Sequence, residues 1–313
     1  MKEYILISGI CGNFGKELAQ YLHREHKIIG LDRREFADRP KDIIHFRIDI
    51  RRKKIEEIFR KYYIKTVIHL NIIHNPRVGP KEHYEFNLTG TSNLMELSVK
   101  YKVPQFIFLS SADIYGPSPD NPLFIPEGHQ LYGSKNIPIL RDLVETDLLV
   151  QSYFWKAPSM LTAILRPCHI AGINISNGIM QYIRSKIVPT IAGFNPMIQI
   201  MHIRDVFRAI EMIMKNRERG IFNISGQDQI PLLTLLKESG ITHIPILPLF
   251  EKVTFSALFA TGLTSLHPEQ VDFLKYPCMV DDSRIKERLS FSPSYKISDI
   301  IREIRLAANI NRI

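Results

Sequence analysis

The sequence has little that would staple a small fold or hold a metal. Its three cysteines, Cys11, Cys168 and Cys278, lie far apart in 313 residues. They make neither a disulfide framework nor a metal-type pair, which fits a reducing, cytoplasmic setting. His45, His69, His74 and His83 lack ligand spacing, so no metal is expected. No uncharged apolar run reaches the roughly 20 residues of a membrane span. The most apolar late stretch, ITHIPILPLFEKVTFSALFATGLTSL, is broken by two prolines and by Glu251-Lys252. The N-terminus, MKEYILISGI, has too short an apolar run for a signal peptide and lacks a cleavage pattern. No internal repeat or low-complexity tract is present.

Acidic residues are also short, 32 against 41 basic ones, for a net charge of +9. Much of the excess sits in Arg33-Arg34 and in RRKK at 51–54. The second cluster opens RRKKIEEIFRKYY, with Ile55, Ile58, Phe59 and Tyr62 at helical spacing, and reads as a solvated helix face. An acidic ligand, anionic lipid or RNA are the sharper alternatives. Basic residues are nowhere interleaved with aromatics in an RNA-reading pattern, so nucleic acid is not the expected partner.

What the chain does have is alternation. YILISGI, HKIIGLD, IIHFRIDI, TVIHLNII, QFIFLSSADIYG and MLTAILRP read as strands, the fifth with its loop. FGKELAQYLHRE, the RRKK segment, residues 82–100 and RDLVETDLLVQSYFWK read as the helices between them. Apolar strands separated by helices predict a parallel sheet covered on both faces. The fold class is therefore α/β: a Rossmann-type doubly wound sheet with a smaller C-terminal α+β substrate lobe. The expected dinucleotide domain is 1–167 plus 199–226. The lobe is 168–198 plus 227–313, folded over the strand ends. MHIRDVFRAIEMIMK reads as a helix and GIFNIS as another strand, whereas 168–198 shows no clear period and 227–280 is irregular.

Gly9-Ile10-Cys11-Gly12-Asn13-Phe14-Gly15 stands between the first strand and first helix, with GxxGxxG spacing. Glycine is needed where the turn is tight and a pyrophosphate approaches the backbone. Asp32 ends the second strand, where a carboxylate accepts both ribose hydroxyls and favours NAD. The adjacent Arg33 keeps NADP open, because a guanidinium can hold a 2′-phosphate.

With these motifs the chain resembles the extended short-chain dehydrogenases/reductases of the NAD-dependent epimerase/dehydratase family, over nearly its whole length. Asp49-Ile50, placed at the end of the third strand, resembles the adenine-contacting pair. HLNI at 69–72, with Leu70 and Asn71, stands where the family has His-Leu-Ala-Ala beside the cofactor. FNLTGTSNLMEL resembles the helix that puts Asn87 under the sheet. LSSADIYG, LRPCHIAG, MHIRDV and DDSRIKERLSFSP match further family segments. The resemblance implies NAD, with Gly9, Gly12, Asn13, Phe14, Gly15, Asp32, Arg33, Asp49, Ile50, Leu70, Asn71 and Asn87 holding it. It also implies a small-molecule substrate and allows a homodimer through two helices, with Leu143, Leu148, Leu149 and Tyr153 as apolar positions.

In this family a Tyr moves the substrate proton, a Lys one turn later lowers its pKa, and a Ser or Thr holds the substrate oxygen. An ordinary phenol titrates near ~10, so a cation must assist it. Spacing of four puts both side chains on one helix face, about 40° apart. Ser111 matches the serine, and Asp113 lies where dehydratases carry an acid. The dyad departs from the pattern. Anchored on letters, Tyr132-Gly-Ser-Lys135 is the pair with one residue deleted. Anchored on the helix, Pro138 is a first-turn residue, Ile139 and Leu143 take the dyad positions, and Asp147 follows as the family Glu. That anchoring leaves Tyr132 and Lys135 in the preceding loop, with Arg141 as another source of charge. Ile198 and Val271 stand where sugar-nucleotide epimerases carry diphosphate-binding arginines; Lys275, Arg184 and Lys186 are the nearby cations. Cys168, beside His169, is a remote candidate nucleophile. Three readings follow: an NAD-dependent oxidoreductase, epimerase or dehydratase acting on a sugar or other hydroxyl/carbonyl substrate; an NAD(P)-binding sensor or scaffold without turnover; and an RNA-binding relative.

Overall fold

The computed structural model describes residues 2–73, 75, 77–137, 140–175 and 178–310. In chain order the first elements are β1 (Glu3–Ser8), α1 (Asn13–Leu22), β2 (Ile28–Asp32), β3 (Ile44–Arg47), α2 (Glu56–Lys61), β4 (Tyr63–His69), α3 (Pro80–Tyr84), α4 (Gly90–Lys100) and β5 (Gln105–Leu109). Then come α5 (Gly133–Asn136), α6 (Arg141–Lys156), β6 (Leu161–Pro167), β7 (His169–Ala171), α7 (Gly178–Ile183), β8 (Pro189–Ile191), β9 (Met197–His202), α8 (Ile203–Lys215) and β10 (Gly220–Ile224). The chain closes with β11 (Gln229–Pro231), α9 (Leu232–Glu238), β12 (Ile244–Ile246), α10 (Glu251–Ala260), α11 (Ser283–Leu289) and α12 (Ile297–Ile310).

The chain divides into two compact units. The first holds residues 1–110, 142–166 and 207–222; the second holds 111–141, 167–206 and 223–313. The sequence alone suggested 1–167 plus 199–226 for the first, whereas 111–141, Pro167, 199–206 and 223–226 group with the second unit.

Seven strands form one sheet in the order β10-β6-β5-β4-β1-β2-β3. The pairings β6-β5, β5-β4, β4-β1, β1-β2 and β2-β3 are all parallel. From β1 the chain builds outward through β2 to β3, then returns to start again with β4 on the other side. That reversal creates a crevice at the carboxyl ends of β1 and β4, where open α/β sheets bind ligands. The inner strands are apolar on both faces because helices cover both: Ile5, Leu6, Ile7, Val67, Ile68, Phe106 and Ile107 are fully buried. In the second unit β7 and β9 pair in parallel, β11 joins β9 antiparallel, and β12 pairs with β8 in parallel.

Several boundaries differ from the sequence pattern. β3 ends at Arg47, so Asp49-Ile50 lies in the turn beyond it, closed by the Arg52 N–H to Asp49 carbonyl bond. The RRKK segment is no single helix: a 3-10 turn at Lys53–Ile55 precedes α2. Met201 and His202 end β9, and the helix begins at Ile203. Residues 80–100 form a helical run interrupted by a π turn at Glu85–Thr89, which carries Asn87. Residues 227–280 hold two α-helices, two 3-10 segments and two short strands where irregular chain was expected. Among the described residues no helix is long and apolar enough to cross a membrane, and no cluster of metal-ligating side chains occurs.

Candidate active site

The glycine loop leaves β1 at Ser8 and enters α1 at Asn13. Gly9 has φ +78, a conformation that side chains resist. A Cβ there would also lie 3.0 Å from backbone atoms of Leu70 and Asn71, so the loop packs directly on the chain leaving β4. A Cβ on Gly15 would stand 2.3 Å from the Gly9 carbonyl oxygen, which fixes how closely α1 approaches the loop. The first turn of α1 has no side-chain cap and no acidic residue. Its N–H groups and the positive end of its dipole are open to an anion. The residues present fit a dinucleotide pyrophosphate.

Asp32 ends β2 and is 2% exposed. Its Oδ2 accepts the Cys11 N–H (3.1 Å) and Arg34 Nη2–H (3.0 Å); its Oδ1 accepts the Arg34 N–H (2.9 Å) and Nε–H (3.0 Å). Burial pushes this carboxyl up, but the bonds from Arg34 and Cys11 outweigh it and hold the pKa below the ordinary value. Arg34, which the sequence reading passed over, is thus the guanidinium on Asp32. Arg33 points elsewhere: it donates to Glu82 (2.9 Å) and lies 4.7 Å from the Phe86 ring centroid. Asp49 pairs with Arg51, whose Nη1 also reaches Glu82 at 3.2 Å. Arg51 is therefore engaged, while Arg52, Lys53 and Lys54 are the solvated charges. Ile50 is buried against Gly90, where a Cβ would come 2.6 Å from its Cδ1. Phe14 stacks edge-on with Phe207 at 5.1 Å and Asn13 begins α1.

At the end of β4, His69 is fully buried between Ser8 Oγ (2.6 Å to Nδ1) and Thr91 Oγ1 (2.8 Å to Nε2). Thr91 spends its own proton on the Asn87 carbonyl, so His69 Nε2 is the donor and Ser8 donates to Nδ1. Burial lowers the His69 pKa to about 3. Asn87 clasps the loop after β4: its Oδ1 accepts the Ile73 N–H (2.7 Å) and its Nδ2 donates to the Ile73 carbonyl (3.1 Å).

The second unit carries the other candidates. Ser111 Oγ accepts the Asp113 N–H at 3.1 Å and caps a 3-10 turn at Ala112–Tyr115, leaving its own O–H to donate elsewhere. Tyr132 and Lys135 are not in an open loop. Tyr132 caps the one-turn helix α5, and Lys135 Nζ sits 5.9 Å from the Tyr132 ring centroid. α5 packs against the serine turn. A Cβ on Gly133 would meet the Ile114 carbonyl oxygen at 2.7 Å, and one on Gly116 would meet Gly133 Cα at 3.0 Å. Two glycines thus let the segments of Ser111 and Tyr132 touch.

On α6, in the first unit, Leu143 is buried and apolar at 4% exposure. Ile139 and Pro138 lie outside the described residues. Asp147 and Arg166 form a fully buried ion pair (2.6 Å), with Ser110 Oγ donating to the same carboxylate at 2.6 Å. That pair is what an acidic residue four positions after Leu143 does here. Tyr153 is also buried, so of the four positions Leu143, Leu148, Leu149 and Tyr153, Leu148 is exposed and Leu149 half-buried; Trp155 on the same helix is exposed too. Beside Leu148 and Leu149 runs a shallow groove lined by Leu88, Thr89, Ser92 and Glu145.

The remaining cations are mostly spent. Arg184 donates to the carbonyls of Ile175, Gly172 and Ile173. Lys275 pairs with Glu251 (2.9 Å) and Asp272 (2.7 Å). Lys186 and Arg141 are exposed, and Ile198 and Val271 are buried. Cys168 is buried and its thiol pushed up to about 12 by burial, which removes it as a nucleophile.

A glycine cradle and a buried acid at the switch point of a parallel sheet define a dinucleotide-binding α/β protein. Residues 5–225 match the model of the NAD dependent epimerase/dehydratase family, and the chain belongs to that family. An uncharacterized protein of Mycobacterium bovis is 24% identical over 302 residues, covering 93% of this chain and 80% of that one. A dTDP-D-glucose 4,6-dehydratase of Dictyostelium discoideum is 27% identical over 273 residues, covering 75% and 61%. Among solved structures, UDP-glucose 4-epimerase of Thermotoga maritima with UDP-glucose has TM-score 0.73 at 20% identity, covering 99% and 98%. dTDP-glucose 4,6-dehydratase of Bacillus anthracis in complex with NAD has TM-score 0.76 at 16% identity, covering 99% and 97%. At such identities the structural likeness is one of fold.

Proposed function

We propose that the chain binds NAD and performs hydride transfer on a hydroxyl or carbonyl substrate, a sugar or a related compound. The observation that carries this reading is the cradle: Gly9 in a positive-φ turn, Gly15 against the Gly9 carbonyl, and an uncapped, acid-free α1 terminus. NAD, when bound, supplies the hydride acceptor or donor. The α1 N–H groups hold its pyrophosphate, and Asp32 takes the adenosine ribose once Arg34 yields a carboxylate oxygen. In the second unit, Ser111 O–H holds the substrate oxygen and the Tyr132 phenol moves the proton, with Lys135 as the adjacent cation. Sugar nucleotides are named for the relatives. In this chain Ile198 and Val271 offer no charge to a diphosphate, and Arg184 and Lys275 are already bonded. A substrate without a diphosphate suits these residues better.

A second reading, NAD binding without turnover, rests on Leu143, which is buried and can move no proton. One experiment separates the two. The protein is loaded with NAD and offered sugars and sugar nucleotides, and reduced nicotinamide and altered sugar are followed. Turnover that falls at least about a hundredfold in Tyr132→Phe, with NAD affinity unchanged, supports the first reading. Turnover retained in Tyr132→Phe removes Tyr132 from the mechanism. Tight NAD binding with no turnover on any sugar leaves the second reading.

A further inference from the structure

Two adjacent residues of α3 join groups that are far apart in sequence. Glu82 accepts from Arg33 (2.9 Å) and Arg51 (3.2 Å), the guanidiniums that flank the Phe86 ring. His83, 7% exposed, bonds through Nε2 to the Asn75 carbonyl (2.8 Å) and through Nδ1 to Asp142 Oδ2 (3.1 Å) in the first turn of α6. The same Oδ2 accepts from Asn87 Nδ2 at 3.3 Å, and Asn87 is the residue that clasps Ile73. A carbonyl can only accept, and an ionised carboxylate can only accept. The ring meets both partners only as an imidazolium, donating from each nitrogen. The result is a charged bridge from the chain following β4 to the start of α6. It stands one residue before Leu143, where the family pattern would put a cation.

We propose, building on the NAD-binding reading above, that the protonated His83–Asp142 pair is the positioning device for this edge of the cofactor site. It fixes the chain after β4, which packs on the glycine loop at Gly9, in the shape that admits NAD. The groups facing the imidazole are Asp142 from α6, the Asn75 carbonyl from the loop, and Glu82 from α3 itself. Glu82 is in turn neutralised by Arg33 and Arg51. The bond to Asp142 raises the His83 pKa above its ordinary value, against burial, with Asn75 and Glu82 adding to the rise. The bridge is therefore intact below the ordinary histidine value and is lost as pH rises through the raised one.

The test is calorimetric titration of NAD into the full-length protein at a series of pH values from mildly acidic to alkaline. The expected wild-type result is a single one-proton step in which NAD affinity falls about tenfold on the alkaline side, the effect of one pKa unit of coupling. His83→Gln carries no titrating ring, so its affinity is flat and near the alkaline wild-type level. Asp142→Asn moves the step to lower pH. NMR titration of the wild-type histidines locates the His83 midpoint above ordinary histidine even if both variants fail to fold, and a midpoint at or below it overturns the proposal. A flat wild-type profile, or a step that persists in His83→Gln, also overturns it while leaving NAD binding in place. Absence of NAD binding at every pH sinks the cofactor reading and this inference with it.

Discussion

The glycine loop makes two opposite predictions from two glycines three residues apart. A Cβ on Gly15 would stand 2.3 Å from the Gly9 oxygen and 2.9 Å from Ile10 Cα, both backbone atoms. Relief needs a shift of roughly 1 Å between α1 and the loop, a form of overpacking that costs about 1–3 kcal/mol. At about 2–4 °C per kcal/mol for a domain of this size, Gly15→Ala should melt about 2–12 °C lower. Gly12 is different. Its φ of −67 and ψ of 155 suit alanine, and a Cβ there meets only the Gly9 oxygen at 3.3 Å and Arg34 Nη2 at 3.8 Å. Gly12→Ala should melt with the wild type. Its methyl instead stands against the Gly9 carbonyl and Arg34 at the start of α1, beside the N–H groups proposed to hold the pyrophosphate. Losing one charge-assisted bond there costs about 1.5–3 kcal/mol, which is about ten- to hundredfold in Kd. Differential scanning calorimetry and NAD titration on both variants measure the two axes separately. A Gly12→Ala protein that binds NAD like the wild type would refute the cradle. A Gly15→Ala protein as stable as the wild type would refute the packing argument.

Other consequences are equally direct. His69 is neutral in the folded state with its pKa lowered to about 3, against about 6.5 when unfolded. Above pH 6.5 it adds no pH dependence; as pH falls below that, only the unfolded chain gains the proton. Stability should therefore drop by about 2 kcal/mol by pH 5 from this group, and urea melts of His69→Gln should lack that share of the acid slope. Removing one partner of the fully buried Asp147–Arg166 pair, as in Asp147→Leu, should cost about 3–5 kcal/mol. The double variant Asp147→Leu/Arg166→Met should recover part of it in the same melts, and no recovery would argue against the pair as the cause. Burial pushes the Cys11 thiol up to about 11, the Cys168 thiol to about 12, and the Cys278 thiol higher still. A thiol reagent at neutral pH should leave all three unlabelled in the folded protein and label all three in denaturant; rapid native labelling would contradict the packing around them.

Much of the fold was legible because the sheet is parallel and doubly covered. Apolar runs such as YILIS and TVIH admit few other placements, and RDLVETDLLVQSYFWK matches α6 from Arg141 to Lys156. The glycine loop was legible because its spacing reports local backbone needs. What failed was tertiary. Asp49 looked like a strand end, but β3 stops at Arg47 and the chain turns so that Arg51 can reach both Asp49 and Glu82. Arg33 and Arg34 are neighbours, yet only Arg34 folds back on Asp32, a choice made by Glu82 and Phe86, which draw Arg33 away. His83 and Asp142 are 59 residues apart, and neither belongs to a motif that would pair them. The most useful sequence signal for them was indirect: a family pattern whose cation is missing invites a search for charge nearby.

A crystal structure of the protein with NAD bound decides between turnover and binding alone. The expected result is the pyrophosphate on the N–H groups at the start of α1, Asp32 on the adenosine ribose, and Tyr132 OH with Ser111 Oγ beside nicotinamide C4. A nicotinamide ring lined by Leu143, with Tyr132 turned away, would contradict it and leave a cofactor-binding protein without this chemistry.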